Sequence, residues 1–555
     1  MDVDLVLRGG RVHTVEESWP GRGELPGAVA VLADRIVAVG SDEELAGLRP
    51  RRVVDLDGAC VVPGFGDAHN HMAWYGLALA EIDLVGLTSL EQLYALVAER
   101  AEGLEPGEMV VGSGYDDNLL GDHPDRDELD RVAGGRPVWL KHRSGHVAVV
   151  STGLADTLRI LDGSTPCPEG GVICTDEQGR VTGVLQEQAQ NIVVAHVTPY
   201  PLGELAQAVA RASRVYAGQG LTHVTECGIG RGWLGKSPSE AAAYQAAIDA
   251  GELAVRVQLM PCVDALHPLD GHPDDDLRFG IDLGLRSGFG GDDLSLGAMK
   301  IWLDGSLLAC TAAMTQAYDK PGGEPANRGY LQDDADRMRE AILAAHRGGW
   351  NVAAHAIGDA AVDLALETFA QAQRRWPRPS ARHRVEHAGV TSPQQVRRFA
   401  ELGVTPVPQL RFLHDIGDSM ATNMGPQRAG MLYRQRSFLD AGCRVPGSSD
   451  RPVADGRPLA AMSSMMLRRT SGGQTIGPDE AVDAATALRA YTLDAAWMAG
   501  QEDRRGTITP GKLADLVVLA DDPLTTDPER LADLPVLATL RGGLATHDTG
   551  LDLPQ

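Results

Sequence analysis

At 555 residues the chain exceeds the usual size of one hydrophobic core, so a large domain with one or two smaller units is expected. Its 50 basic against 76 acidic side chains, a formal net charge of -26, exclude nucleic acid as a partner class, because phosphate binding needs clustered Lys and Arg. No apolar run approaches the ~18 residues of a membrane span, and the acidic start MDVDLVLRGG lacks the basic flank of a signal peptide, so no membrane partner is expected. Seven scattered cysteines without a CxxC pair argue against a disulfide framework and for a reducing, cytoplasmic setting.

Residues 1–60 read as short strands, over 3–7, 11–15, 28–32, 35–40 and 52–56, with alternating β-branched residues bounded by Gly and Asp. This is a small β unit. The stretch VVPGFGDAHNH (61–71) follows. A strand beginning at Cys60-Val61-Val62 would end near Gly66-Asp67, leaving His69 and His71 just past its C-terminal end. Residues i and i+2 of extended backbone point the same way, so the two imidazoles can turn onto one point, as a metal ion requires. From His71 to about residue 215 the pattern is mixed. It has a helix over 89–102 with Ser89 as cap, strand-like runs over 110–114 and 138–141, and a helix over 202–217.

Beyond that the rhythm becomes regular. Strands over 221–226, 255–259, 296–302, 351–355, 384–387, 403–407 and 444–450 alternate with helices over 239–250, 337–348, 360–374 and 393–402. Alternation of this kind implies a parallel sheet. Counting from Val61 and skipping 78–215 gives eight strands, near 62, 223, 257, 299, 353, 385, 405 and 446, which suggests an α/β closed barrel. The domain expectation is therefore 1–60 as one half of a β unit, 61–504 as the barrel with 78–215 inserted after strand 1, and 505–555 as the other half. The strand texture of 506–508, 513–519 and 536–540 matches that of the opening residues.

Polar residues recur at strand ends. Lys300, one of only five lysines, sits inside the apolar run Met-Lys-Ile-Trp, where an ammonium is expensive to bury. His355 ends Val-Ala-Ala, His387 follows Val-Glu, and Asp450 follows Gly-Ser-Ser. Each taken singly is more often a core histidine, a turn aspartate or a lysine reaching solvent. In a β/α barrel, however, all C-terminal strand ends face one mouth, so His69, His71, Lys300, His355, His387 and Asp450 can converge.

The motifs PGFGDAHNH (63–71), GAMKIWLDGS (297–306), HAIGDAA (355–361), RVEHAG (384–389), GSSDRPV (447–453) and GKLADLVVL (511–519) together resemble the amidohydrolase superfamily. The closest resemblance is to the branch with YtcJ-like proteins and N-substituted formamide deformylase. The resemblance implies a (β/α)8 barrel with a composite β-sandwich from both termini. It implies that His69 and His71 bind one metal ion, His355 and His387 a second, and that Lys300 bridges them as a carbamate, with one or two zinc ions as cofactor. Asp450 would touch both metal and hydrolytic water. Glu386 and Asp304 are expected to support the ligands, a turn role for Asp304 being equally open. His146, in Ser-Gly-His, either binds the substrate carbonyl or stabilises its loop. Glu187 either reaches the site or lies on a helix face. Glu226 and Cys227 stand where relatives often carry Asp.

The expected activity is hydrolysis of a non-peptide amide by metal-activated water, with an N-substituted formamide, N-acyl amine or carbamate as the small-molecule substrate. The inserted segment is expected to cover the mouth, with Trp74, Tyr115 and Trp302 as candidates for an apolar wall. A deaminase or cyclic amidohydrolase on the same metals is the alternative, and a non-catalytic binding protein on a retired barrel the remote one. A homo-oligomer is left open. GRGWLGKS (230–237) fits the phosphate-loop pattern in full, but Pro238 and the bulky Trp233-Leu234 suit a phosphate cradle poorly, and it reads as a barrel loop.

Overall fold

The computed structural model describes residues 1–16, 25–105, 107–142, 147–168, 171–232, 234–272, 274–275, 277–320 and 326–554, without the Asn118 side chain. Two compact units result, Met1–Ala73 with Val209–Gln555, and Trp74–Ala208.

The larger unit contains a β-sandwich built from both ends of the chain. One sheet has the order Arg35–Gly40, Ala28–Leu32, Asp2–Arg8, Arg49–Asp55. The other runs Arg11–Val12, Cys60–Pro63, Leu516–Leu519, Val536–Arg541, Leu544–Asp548. Leu5, Val31, Ile36, Val61, Leu516 and Leu540 pack between them as one core. Val61-Val62 therefore does not open the barrel. It pairs antiparallel with Leu516–Leu519, Val62 opposite Val517. Pro63-Gly64 ends that pairing, and a new strand starts at Phe65. Gly64 is required there: a Cβ would lie 2.3 Å from the Thr222 side chain.

The barrel strands are β1 (Phe65–Asn70), β2 (Leu221–Ile229), β3 (Arg256–Pro261), β4 (Leu294–Leu296 continued by Met299–Trp302), β5 (Val352–Ala356), β6 (Arg384–His387) and β7 (Thr405–Val407). All neighbouring pairs are parallel. A parallel bridge between Cys262 and Lys300 joins β3 to the second half of β4. Segment 445–451 is the eighth stave of this (β/α)8 barrel. Its Gly447 carbonyl accepts from Ala68 N at 2.9 Å, Arg451 bridges Asn70, and Ser448 Oγ donates to Pro408 O at 3.1 Å. It is not a regular strand, because Ser448 and Ser449 place hydrogen bonds on side chains and loop carbonyls rather than on a ladder.

Helices return the chain between staves. Ala335–Arg347 is capped by Asp334, which accepts from Asp336 N and Arg337 N, and Pro393–Leu402 carries a full Ser392–Gln395 capping box and a left-handed Gly403. Their apolar faces bury Ile342, Phe369 and Phe399 against Met299, Ile301 and Val385. No helix among the described residues is long and apolar enough to cross a membrane.

The unit Trp74–Ala208 has its own six-stranded sheet, in the order Gly171–Thr175, Val181–Glu187, Val147–Val150, Val138–His142, Val110–Tyr115, Ile82–Asp83. The strand-like runs near 111 and 139 are parallel neighbours here and take no part in the barrel. Helix Leu90–Glu102, capped by Ser89, buries Leu93 and Val97 on one face of that sheet.

Beneath the barrel a buried histidine pair has its protons fixed by geometry. His383 Nδ1 accepts from Val352 N at 3.1 Å, so its Nε2–H donates to His346 Nδ1 at 2.8 Å, and His346 Nε2–H donates to Trp376 O at 2.8 Å. Neither ring has room for another proton. Burial, with the neighbouring His346 and Arg378, lowers His383 to about 3. A histidine with a depressed folded pKa contributes stability present above about pH 6.5 and lost as pH falls toward 3. Relative to a His383→Gln variant, the wild-type protein should lose up to about 1.4 kcal/mol per pH unit below pH 6. Parallel melting curves for the two proteins from pH 8 to pH 5 test this, and equal slopes would refute it.

Candidate metal centre

Every residue of β1 is buried. Asp67 gathers four donors: His69 N at 3.1 Å, Asn70 Nδ2 at 2.7 Å, Ser449 N at 3.0 Å and Ser449 Oγ at 2.5 Å. It ties β1 to the eighth stave. The backbone continues the tie, with Asp450 N on His69 O at 2.8 Å and His71 N on Arg451 O at 2.9 Å.

That pairing brings three side chains onto one point. Asp450 Oδ1 lies 3.2 Å from His69 Nε2 and 2.9 Å from His71 Nε2. The three residues form one cluster whose ligand atoms all lie within 4.8 Å of one another. Burial opposes ionisation of Asp450, but the imidazoles of His69 and His71 outweigh it and hold its carboxyl well below the usual range. Burial lowers His71 to about 4 despite the attraction of Asp450.

His69 is held from behind. Its Nδ1 meets Glu386 Oε2 at 2.5 Å. Glu386 is gripped by Arg384 through Nε and through Nη2 at 2.8 Å, and the same Nη2 donates to Ala68 O at 2.7 Å. Arg384 and Glu386 sit two apart on β6 and so face the same way, toward β1. Burial opposes the Glu386 charge, yet Arg384 and His69 keep it far below the usual carboxylate range. With Nδ1 engaged by Glu386, Nε2 is the His69 nitrogen that faces Asp450.

The other two histidines continue the cluster. The His387 ring centroid is 5.1 Å from that of His69 and 4.5 Å from that of His355. His387 has φ 70 and Asp450 φ 58, left-handed values uncommon outside glycine, which turn both side chains off their strand ends toward the shared point. Burial and its neighbour His355 keep His387 neutral. Burial and the Lys300 charge lower His355 to about 3. His355 Nε2 lies 3.0 Å from Gly305 O and 3.4 Å from Asp304 Oδ1. Asp304 accepts from Ala313 N, Ile357 N and Gly358 N, so it fixes the chain just after His355. Burial nevertheless pushes its carboxyl up to about 7.

Lys300 is fully buried and its Nζ makes no hydrogen bond among the described residues. Its nearest aromatic face is Trp302, 5.4 Å from Nζ to the ring centroid. A bare ammonium in this position is an uncompensated buried charge.

Other positions fall differently. His146 lies outside the described residues. Glu187 ends strand Val181–Glu187 in an exposed position rather than on a helix face. Tyr115 belongs to the core of its own unit, with its hydroxyl 3.1 Å from His123 Nδ1. Glu226 accepts from Met72 N at 2.5 Å, Ala73 N at 3.2 Å and Tyr244 OH at 2.8 Å, and so anchors the backbone directly after His71. Burial and the neighbouring Glu240 push it up to about 8. Glu240 also explains why the phosphate-loop match is empty of meaning. Its Oε2 accepts from Gly230 N at 3.0 Å and Lys236 N at 2.8 Å, so the amides a phosphate would need already hold a carboxylate of the chain itself. Asp67 and Arg384 were not singled out from the sequence. Their signal was their place in the same short strands as the histidines, Asp67 two before His69 and Arg384 three before His387.

The family model described as "Amidohydrolase family" matches residues 52–547. The chain is 28% identical to the "Putative amidohydrolase YtcJ" of Bacillus subtilis, over 98% of this chain and 99% of that one. It is 30% identical to the "N-substituted formamide deformylase" of Arthrobacter pascens, over 98% of each. Among solved structures, an uncharacterized metal-dependent hydrolase from Pyrococcus furiosus superposes with a TM-score of 0.76 at 27% identity, covering 94% of this chain and 100% of the other.

The Arg384–Glu386 pair yields a direct prediction. Glu386→Gln keeps the shape but leaves the Arg384 guanidinium buried without a counter-charge, which should cost about 3–5 kcal/mol. The readout is the urea midpoint in the presence of chelator, where metal binding cannot contribute. A shift equivalent to less than about 1 kcal/mol, the range of a surface pair, would contradict it.

Proposed function

The chain belongs to the amidohydrolase family, and from that premise we propose that it hydrolyses an N-substituted formamide or a related N-acyl amine or carbamate. The wider activity is metal-dependent hydrolysis of non-peptide carbon–nitrogen bonds. The similarity to the Arthrobacter deformylase along its whole length supports the narrower substrate class. The observation that carries the reading is the convergence of four imidazoles and the Asp450 carboxyl, with the buried Lys300 amine close enough to act on His355.

The donor set fits divalent cations of the zinc type. His69 and His71, with Asp450, are the residues that would hold one ion, and His355 with His387 a second. As a carbamate, Lys300 would add its oxygens to the donor set that holds them. The ammonium first gives up one proton, and the free amine then adds to the carbon of CO2 and gives up a second, so a buried cation becomes an anion with two oxygens. That change removes the uncompensated charge. When bound, such ions polarise the scissile carbonyl and lower the pKa of water toward ~7.

The remaining steps belong to the chain. Asp450, kept ionised, accepts a proton from the attacking water and returns it to the departing nitrogen. His71, His355 and His387 are kept neutral by burial, so their lone pairs are available at neutral pH. Glu386 fixes the tautomer of His69. The balance is amide plus water giving a carboxylic acid, formic acid for a formamide, plus amine; a carbamate plus water gives amine, carbon dioxide and alcohol. A cytoplasmic setting is proposed from the scattered cysteines.

Chelation should abolish turnover on a panel of N-substituted formamides, acyl amines and carbamates, and added Zn2+ should restore it. Asp450→Asn should lower kcat by roughly 10²–10⁴-fold. Failure of the metal-loaded protein on the whole panel, or an unchanged kcat in Asp450→Asn, would refute the assignment.

A further inference from the structure

The β-sandwich holds a second group of metal-ligand chemistry. His13 follows strand Arg11–Val12, Cys60 opens strand Cys60–Pro63, and Asp522 lies just beyond strand Leu516–Leu519. These three strands are neighbours. Arg11 is paired with Cys60 in parallel register, and Leu519 is opposite Cys60 in antiparallel register. Cys60 is thus flanked by the strands that lead to His13 and to Asp522, each a few residues from its level.

All three residues are buried, with Cys60 at 0%, His13 at 3% and Asp522 at 5% of their full exposure. One ligand atom from each lies within 4.8 Å of the others. His13 Nε2 is 3.0 Å from Asp522 Oδ1, a hydrogen-bond distance that an ion would open to the roughly 3.3–3.8 Å edge of a tetrahedron with metal–ligand bonds of about 2.0–2.3 Å.

We propose that His13, Cys60 and Asp522 form a structural site for a zinc-type divalent ion, separate from the barrel centre. The donor chemistry is the reason. Thiolate, imidazole and carboxylate are the three side chains that zinc takes, so the three residues present three donor atoms and water would supply the fourth. The charges also close: a thiolate and a carboxylate neutralise a divalent cation. Arg11, which is part exposed, is already paired with Asp521 at 2.8 Å and stands 3.9 Å from Asp522. Binding releases one proton, since Zn2+ and the Cys60 thiol give the zinc thiolate and H+. Burial and Asp522 oppose the free thiolate, so the metal must be what forms it. Such an ion would fasten a strand from the first 60 residues to a loop near the C-terminus.

The competing arrangement is a plain His13–Asp522 hydrogen bond beside an inert thiol. X-ray absorption at the zinc edge of the purified protein separates the two. A sulfur shell near 2.3 Å is expected, and a shell of nitrogen and oxygen alone would overturn the proposal whether or not any variant folds. In Cys60→Ala the metal content should fall by one ion per chain. The cobalt-substituted protein should lose its near-ultraviolet thiolate-to-metal absorption, while amide hydrolysis stays unchanged, because Cys60 plays no part in that chemistry. Sulfur coordination or cobalt–thiolate absorption persisting in Cys60→Ala would also overturn it. These readouts need no turnover, so they stand apart from the substrate assignment above.

Discussion

The closure of β1 against segment 445–451 is the constraint on which the barrel centre depends. Asp67 and Ser449 are 382 residues apart, yet a buried carboxylate with four donors joins them. The entropy of closing so long a loop rises only with the logarithm of its length, so packing of the intervening staves can offset it. Once closed, the junction sets the Asp450 carboxylate between the imidazoles of His69 and His71. Loosening it would separate those groups without altering any one of them.

A second principle is that buried charges here are neutralised in chains rather than singly. Arg384 holds Glu386, Glu386 holds His69, and His69 faces Asp450. Each link costs desolvation and recovers it from a close, well-oriented partner. Lys300 is the exception, since its amine lies in the same barrel without a hydrogen bond among the described residues. An unpaired charge is the most expensive object a protein interior can contain, and it directs attention to the chemistry that would remove it. The left-handed backbone at His387 and Asp450 has the same character, a local strain retained where the side chain must be aimed.

Outside the centre, acidic side chains serve as anchors for backbone amides. Glu226 takes the amides after His71, Asp304 those after His355, and Glu240 those of the glycine-rich loop at 230–236. In each case a carboxyl group accepts the amide hydrogen bonds that a bound anion would take elsewhere. This is why the phosphate-loop pattern in the sequence corresponds to no anion cradle in the fold.

The sequence by itself determined the alternation of strands and helices, and it marked His69, His71, Lys300, His355, His387 and Asp450 as polar exceptions at strand ends. Both are local properties: periodicity and the cost of burying a charge can be read within a few residues. What only the tertiary structure decided was pairing. Val61-Val62 has the same apolar texture as a barrel strand but lies in the sandwich against Val517 and Val518. The runs near 111 and 139 pair with each other in a separate sheet. Asp67 and Glu226 gain their roles from Ser449 and Met72, 382 and 154 residues away, and Arg384, two residues from Glu386, also reaches the Ala68 carbonyl 316 residues away. A strand carries its own alternation but not the identity of the strand beside it. That identity is set by which faces bury together once the whole chain has closed.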